Sequence, residues 1–379
     1  MKNNNIEIKY ENFYFYWTLL MISISAILFL SASSTYSLNV SDNFMFYFYK
    51  HTIKIFIGVL IFLIIPLINY KFLSSITKQL LICSWFIMIL GYYMKSNNDS
   101  TARWLSIAGY NLFQTSDIAK VALIIFTAGF INKYYNKINN PKVLMIEFLP
   151  YFIITITLIY FQPDFSTSII ITSIITIMLL IAGLSKKYII YILLFILLII
   201  GIVGLSKFDY QINRLLNWPS RIMFPMHDSG LTMANDQQIK YSIIALANGG
   251  LFGLGLGNSF VKNNFLSEGY TDFIFPIISE ELGFIGATCL LFFCFGSLFH
   301  KSINFLKHVK DRFGFFLIIG FISMYLNYFL THIGYCIGLL PTTGLPLPFI
   351  SYGGTNMIIN LFSMGLIISI VKFNRTKII

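Results

Sequence analysis

Residues 167–185 read Thr167-Ser-Ile-Ile-Ile-Thr-Ser-Ile-Ile-Thr-Ile-Met-Leu-Leu-Ile-Ala-Gly-Leu-Ser185, an uncharged run closed by Lys186-Lys187 and followed by a second apolar run over 187–206. At a helical rise of about 1.5 Å per residue, each run covers the roughly 30 Å hydrocarbon core of a bilayer. Apolar stretches of this length recur along the whole chain. A backbone crossing lipid must satisfy its own N–H and C=O groups, which helices do. Hydropathy and length place spans near 13–34, 51–70, 77–95, 116–134, 144–162, 167–185, 187–206, 273–299, 313–337 and 355–373. The sequence therefore predicts an all-α polytopic membrane protein of about ten transmembrane helices, with a large outer loop, about 207–272, between helices seven and eight. Composition agrees: 57% of the 379 residues are hydrophobic, 11% are charged and mean hydropathy is +0.76, so soluble-domain reasoning is set aside.

The net charge of +11 does not point to nucleic acid, because the basic residues are spaced between apolar runs rather than gathered in one patch. With a cytoplasmic N-terminus, every second loop faces the cytoplasm. Those loops carry Lys71 and Lys78, Lys133 with Lys137 and Lys142, Lys186-Lys187, Lys301 through Arg312, and the tail with Lys372, Arg375 and Lys377. Each obeys the positive-inside rule. Cys83, Cys289, Cys294 and Cys336 lie in apolar segments without ligand-like spacing, so neither a disulfide framework nor a zinc site is expected. The first apolar run lacks a small-residue cleavage site and is expected to stay as the first helix. No tandem repeat or linker divides the chain, which reads as a single membrane domain over 1–379.

The motif-like sequence sits in the opposite, outer loops. Arg103-Trp104-Leu105 puts a cation and an amphipathic ring on a loop, and Gln114-Thr115-Ser116-Asp117-Ile118-Ala119-Lys120 then opens a helix. Asp117 and Lys120, at i and i+3, share a face. Ser116 and Asp117 also suit helix capping and the helix dipole, and Trp104 suits an interfacial anchor. A lysine one turn below the surface needs an anionic partner, either Asp117 or a substrate phosphate. Gln162-Pro163-Asp164 interrupts two spans at a proline turn followed by Ser166 and Thr167, a pattern common in ordinary caps.

In the large loop, Arg214, Arg221, Lys240 and Lys262 supply cations near the membrane plane. Gly249-Gly250-Leu251-Phe252-Gly253-Leu254-Gly255-Leu256-Gly257 permits either close ligand approach or a tightly packed re-entrant segment; no Gly-Lys-Ser/Thr follows, so it is not a Walker loop. The loop ends at Thr271-Asp272-Phe273, where Asp272 meets the next apolar span. An ionisable group at the water–lipid boundary is solvated, paired or used, so Asp272 is the candidate for chemistry, against a plain helix-start cap. Glu280 and Glu281 lie roughly 12–14 Å deeper along a helix, too far to pair with Asp272, and partners inside the bundle are expected for them. His332 reads as a satisfied interior histidine. Gly344-Leu345-Pro346-Leu347-Pro348-Phe349-Ile350-Ser351-Tyr352-Gly353-Gly354-Thr355 cannot be regular helix, and non-helical backbone at this depth is expected to line a wet cavity.

Taken in this order, the motifs closely resemble the SEDS family (shape, elongation, division and sporulation) over nearly the whole chain. Ser31-Ala32-Ser33-Ser34 followed by Phe48-Tyr49-Lys50-His51 is closer to its division branch, the FtsW type, than to its elongation branch, the RodA type. The resemblance implies a ten-helix peptidoglycan glycosyltransferase that polymerises lipid II at the outer face of the bacterial cytoplasmic membrane, with both termini cytoplasmic. Its implied partners are a class B penicillin-binding protein, other division proteins and membrane lipids. Carried over, the essential acid of the large loop falls on Asp272, and the family's tryptophan, helix-start acid and lysine fall on Trp104, Asp117 and Lys120. Arg103, Arg214 and Ser351 complete the substrate-binding candidates. Two departures stand out: Thr115-Ser116-Asp117 replaces Pro-Ser-Glu, shortening a carboxylate by one methylene, and Ser267-Glu268-Gly269-Tyr270 replaces Pro-Glu-x-His.

The implied reaction attacks the anomeric carbon of a polyprenyl-diphosphate sugar with the 4-hydroxyl of another sugar, with inversion. Asp272 would be the general base, while Lys120, Arg103 or Arg214, with or without a divalent cation (Mg2+ or Mn2+), neutralise the departing diphosphate. No other cofactor is expected. The rival readings are a lipid II flippase, which needs polar groups across the full membrane depth, and a non-catalytic scaffold for a penicillin-binding protein.

Overall fold

The computed structural model describes residues 2–94, 103–107, 110–192, 194, 234–266 and 269–375. Among these, seven helices are long and apolar enough to cross a membrane: Ile6–Ser41, Phe46–Leu67, Thr115–Lys137, Pro141–Phe161, Ile274–Leu306, Arg312–Cys336 and Gly354–Asn374. Thr77–Tyr93 and Phe165–Ile181, at 17 residues each, fall just short of that length and occupy two more of the expected spans. Of the expected span 187–206, only the beginning lies within the described residues. The all-helical expectation meets one small departure, an antiparallel hairpin of Trp104–Ile107 and Tyr110–Gln114 with Trp104 opposite Gln114.

The centre of the bundle is built from helices buried on nearly every side. Arg312–Cys336 packs against Thr115–Tyr134 and Phe165–Ile181, and Gly354–Arg375 packs against Phe46–Ile64 and Lys2–Ser41. Close approach needs small residues at the crossings. A Cβ on Gly320 would lie 2.4 Å from Ile124 Cγ2, and one on Gly58 would lie 2.5 Å from Leu361 Cδ1. Outer faces carry exposed Phe56, Leu63, Phe86, Phe292 and Phe293, as a lipid-facing surface should.

The span expected at 273–299 is not one straight helix. It breaks at Gly283 (φ 72°, ψ 175°) and widens into a π turn over Phe292–Gly296 before continuing as Ser297–Leu306. The cause is the glycine-rich segment. In an unbroken helix, Phe284 N–H would donate to Glu280 and Ile285 N–H to Glu281. Instead Phe284 donates to Gly250 O (2.9 Å) and Ile285 to Leu251 O (3.1 Å). The released Glu280 and Glu281 carbonyls accept Leu254 N–H (3.0 Å) and Gly255 N–H (2.9 Å). The loop backbone thus replaces the helical ladder bond for bond, a recognised cause of a kink. Of the two readings open for this segment, tight packing describes what its backbone does.

Glu280 and Glu281 are held by the same loop. Glu280 accepts from Ser259 Oγ, from Val261 N–H (3.2 Å) and from Asn248 Nδ2 (3.1 Å). Glu281 pairs with Lys262 at 2.7 Å, both side chains almost wholly enclosed, and the Ser31 hydroxyl lies 2.6 and 2.7 Å from its two oxygens. A buried ion pair of this kind is tolerated because each charge has partners.

Candidate functional site

At one end of the bundle, six separate stretches of chain converge on a cavity of about 310 Å³. They are Lys54 of the Phe46–Ile64 helix, the hairpin and the helix start after it, the Gln162-Pro163-Asp164 turn with Thr167, Thr271-Asp272, Tyr328 of the Arg312–Cys336 helix, and the loop from Thr343 to the first turn of the last helix. Of the residues singled out from sequence, Arg103, Trp104, Asp117 and Asp272 line this cavity. Lys120 lies directly beneath it. Arg214 lies outside the described residues. Ser351 does not line the cavity: it is buried, its hydroxyl accepts Leu347 N–H at 2.8 Å, and its own N–H donates to Leu347 O. Its observed contacts close the turn around Pro348.

The hairpin is fixed from below. Thr115 N–H donates to Arg103 O (3.0 Å), and the Thr115 hydroxyl donates to Gln162 Oε1 (2.9 Å). Gln114 N–H donates to Thr355 Oγ1 (2.9 Å), and the Arg103 guanidinium donates to Pro163 O. Asp164 caps its helix through Thr167 N–H and accepts from Ser116 Oγ (2.9 Å) and Gln114 Nε2 (3.0 Å). The proline turn, unremarkable as sequence, is therefore the clamp joining two motifs. Ser116, expected as a cap, donates to Asp164, and Gln114 takes the N-cap position of that helix.

Asp117 and Lys120 form the i,i+3 pair expected of them, with Nζ–Oδ1 at 2.8 Å, and Lys120 donates to the Tyr328 hydroxyl at 2.8 Å. The lysine side chain is only 1% exposed. Its charge is taken up by Asp117, and Tyr328, which does line the cavity, stands with Asp117 between it and the open space.

Asp272 is fixed through its backbone. Its carbonyl accepts from the Tyr335 hydroxyl, which also contacts Leu345 O and His332 Nδ1, both at 2.9 Å. His332 is thus partnered at Nδ1 through Leu345 O at 2.8 Å, while its buried Nε2 has no partner among the described residues, so the satisfied interior histidine expected from sequence is found at one ring nitrogen only. The carboxylate faces Gly344, whose φ is +65° and whose added Cβ would lie 3.0 Å from Asp272 Oδ2. A side chain there would meet both the backbone angle and the carboxylate. Tyr352 N–H donates to Tyr270 O (3.0 Å), and the Tyr270 ring lies among Tyr36, Tyr47 and Tyr352 with centroids 4.8–5.7 Å apart. This aromatic shelf ties the loop to the first two helices. Burial pushes the Tyr352 phenol up, so its hydroxyl keeps its proton. As expected of non-helical backbone at this depth, the 344–355 loop lines the cavity, with Gly344, Pro346, Tyr352 and Gly353 on its wall.

One charged cavity residue belongs to none of the sequence motifs. Lys54, inside the expected span 51–70, lines the wall beside Tyr352 and Gly354. Its position is informative, since an ionisable group inside an apolar span is a functional hypothesis by default.

Comparison with known proteins agrees with the geometry. The family model described as cell cycle protein, covering FtsW, RodA and SpoVE, matches residues 11–376. The chain is 30% identical over 369 residues to the stage V sporulation protein E of Bacillus subtilis, covering 94% of this chain and 96% of that protein. It is 31% identical over 352 residues to the probable peptidoglycan glycosyltransferase FtsW of Bacillus subtilis, covering 89% and 84% respectively. Its fold is similar to a chain of a peptidoglycan synthase complex studied for its coordination of polymerization and crosslinking, with a TM-score of 0.73 and 18% identity over 96% of this chain and 98% of that one.

Proposed function

Because this chain belongs to the FtsW, RodA and SpoVE family of cell cycle proteins, we propose that it is a peptidoglycan glycosyltransferase. Its substrate is lipid II, which it polymerises into glycan strands for septal wall synthesis, working with a class B penicillin-binding protein. The observation that carries this reading is the convergence of Asp272 with Arg103, Trp104 and Asp117, which come from a distant part of the sequence, on one cavity at one end of an apolar bundle. The lysine-bearing loops at 71–78, 133–142 and 301–312 fit a cytoplasmic assignment by the positive-inside rule, which supports an outer-face cavity and cytoplasmic termini.

In the proposed reaction, the Asp272 carboxylate takes the proton from the acceptor sugar's 4-hydroxyl as that oxygen attacks the donor's anomeric carbon. The bond from that carbon to the polyprenyl diphosphate breaks, and the diphosphate leaves without a general acid, in contrast to the paired carboxylates of glycosidases. Lys120 is not among the groups that reach the diphosphate; enclosed with Asp117, it holds the cavity floor electrically neutral. Arg103 presents a cation at the rim. Among the described residues no cluster of three His, Cys, Asp or Glu side chains is disposed to hold a metal ion. Were a divalent cation bound, Asp272 on the cavity wall would be the carboxylate to hold it, and the ion would supply positive charge toward the departing diphosphate.

The test is polymerisation of labelled lipid II by the purified protein with its penicillin-binding partner. Asp272→Asn keeps the shape and removes the basicity, and is expected to lose on the order of 10²- to 10⁴-fold in rate. Wild-type rates in the folded variant would remove Asp272 from the role of base. No glycan from wild type, even with its partner, would shift the reading to lipid transport or scaffolding.

A further inference from the structure

The cation expected to meet the diphosphate, Lys120, is committed to Asp117 and Tyr328 and nearly inaccessible. The cavity nevertheless presents a second lysine. Lys54 projects from the Phe46–Ile64 helix and lies across the start of the last helix, in the space where a Gly354 side chain would be. A Cβ there would sit 2.2 Å from Lys54 Cδ and 2.6 Å from Nζ. Its ammonium is 3.5 Å from the Tyr352 hydroxyl and 5.0 Å from the centre of that ring. No carboxylate lies within 4.0 Å of it among the described residues. Among the described residues Tyr352, through its ring and its hydroxyl, is the group that meets this half-buried ammonium, which is underpaired for its depth and has an anion as its natural complement.

The surroundings favour such an anion. Arg103 lines the same cavity, and so do Gly354, Thr355 and Asn356 of the last helix's first turn, the positive end of a 22-residue dipole. Two of the cavity's carboxylates are neutralised or hydrogen-bonded, Asp117 by Lys120 and Asp164 by Ser116 and Gln114. From this we infer that Lys54 is a substrate-positioning residue that holds the diphosphate of the polyprenyl-linked sugar, the role that Lys120 is placed too deep to fill. This inference rests on the glycosyltransferase reading above.

The experiment uses the full chain with its penicillin-binding partner and labelled lipid II, with polyprenyl diphosphate and polyprenyl monophosphate as added competitors. A charge-assisted contact of this kind corresponds to roughly 10- to 100-fold in affinity. Lys54→Gln is expected to raise KM for lipid II by about that factor and to erase the preference for the diphosphate competitor. Lys54→Arg, which keeps the charge, is expected to restore most of both. Unchanged KM and unchanged competitor preference in folded Lys54→Gln overturn the inference. So does wild-type protein that binds the two competitors equally, a result that needs no variant. Should wild type make no glycan, the glycosyltransferase reading fails instead, and direct binding of fluorescent polyprenyl diphosphate to wild type and Lys54→Gln still decides the Lys54 assignment.

Discussion

Replacing Gly253 by alanine tests the account of the broken helix. Gly253 has φ +80°, and an added Cβ would lie 2.3 Å from Glu281 O and 2.5 Å from Gly283 N, all backbone that cannot rotate aside. Gly257 has nearly the same angle, φ +86°, with nothing within 4 Å of the added carbon. Both substitutions incur the left-handed backbone cost of about 1–2 kcal/mol. Only Gly253→Ala adds overpacking of about 1–3 kcal/mol. It also threatens the Leu254–Glu280 and Gly255–Glu281 hydrogen bonds, each about 0.5–1.5 kcal/mol. With those hydrogen bonds kept, the expected losses are about 2–5 kcal/mol for Gly253→Ala and about 1–2 for Gly257→Ala, and any bond that breaks adds to the first. Thermal melting of the purified variants in one detergent reads the difference, at roughly 1–3 °C per kcal/mol for a chain of this size. Equal melting temperatures for the two variants would refute the wedge, because the backbone angle is common to both and only the steric term differs.

Lys120→Met leaves the Asp117 carboxylate buried without its cation and is expected to destabilise by about 3–5 kcal/mol. The double variant with Asp117→Asn should recover most of that; a double variant that is no more stable than the single one would mean the pair is not the coupled unit described. Gly344→Ala, with its Cβ 3.0 Å from Asp272 Oδ2, is expected to leave the protein folded and lower kcat by tenfold or more, since a shift of about 1 Å at a reacting group can cost on the order of 10². Polymerisation kinetics on the folded variant check it, and an unchanged kcat would show that the Asp272 carboxylate does not need the space Gly344 leaves.

What the sequence made legible was what averages over a window. Apolar runs give the spans, because lipid imposes their length and apolarity on composition. Motif residues at helix starts were legible too: Asp117 and Lys120 pair at i,i+3 as their spacing requires. The break at Gly283 was not, because the groups that cause it, Gly250 to Gly255, lie about thirty residues upstream and act through backbone atoms that carry no side-chain signature. Nor was the partner of Lys120 on a distant helix, Tyr328, since nothing local to either residue encodes their meeting. Lys54 was hidden for the opposite reason: an otherwise apolar span absorbed one charge. Ser351 lies in the Pro- and Gly-rich motif of the cavity loop, yet its hydroxyl serves the turn itself.

Asp272 occupies a junction between two rigid supports. On one side its carbonyl is held by Tyr335, whose hydroxyl also contacts the Leu345 carbonyl of the cavity loop. On the other, the helix that starts at Ile274 is pinned two turns deeper by the Gly250–Gly255 wedge and by the Lys262–Glu281 pair, which reaches Ser31 of the first helix. A carboxylate held at both ends of a short segment has little freedom to drift, a constraint that suits the general-base role proposed for it, since proton transfer requires approach to about 2.6–3.2 Å. The same arrangement explains why so many buried polar groups are tolerated at the end of an apolar bundle. Glu280, Glu281, Asp117 and Asp164 are each matched by a donor within the protein, so their burial is compensated locally. What the cavity then offers a ligand is set by the cations at its wall, Lys54 and Arg103, and by the carboxylate of Asp272 opposite Gly344. That is the complement of a molecule carrying an anionic leaving group at one point and a hydroxyl to be deprotonated at another.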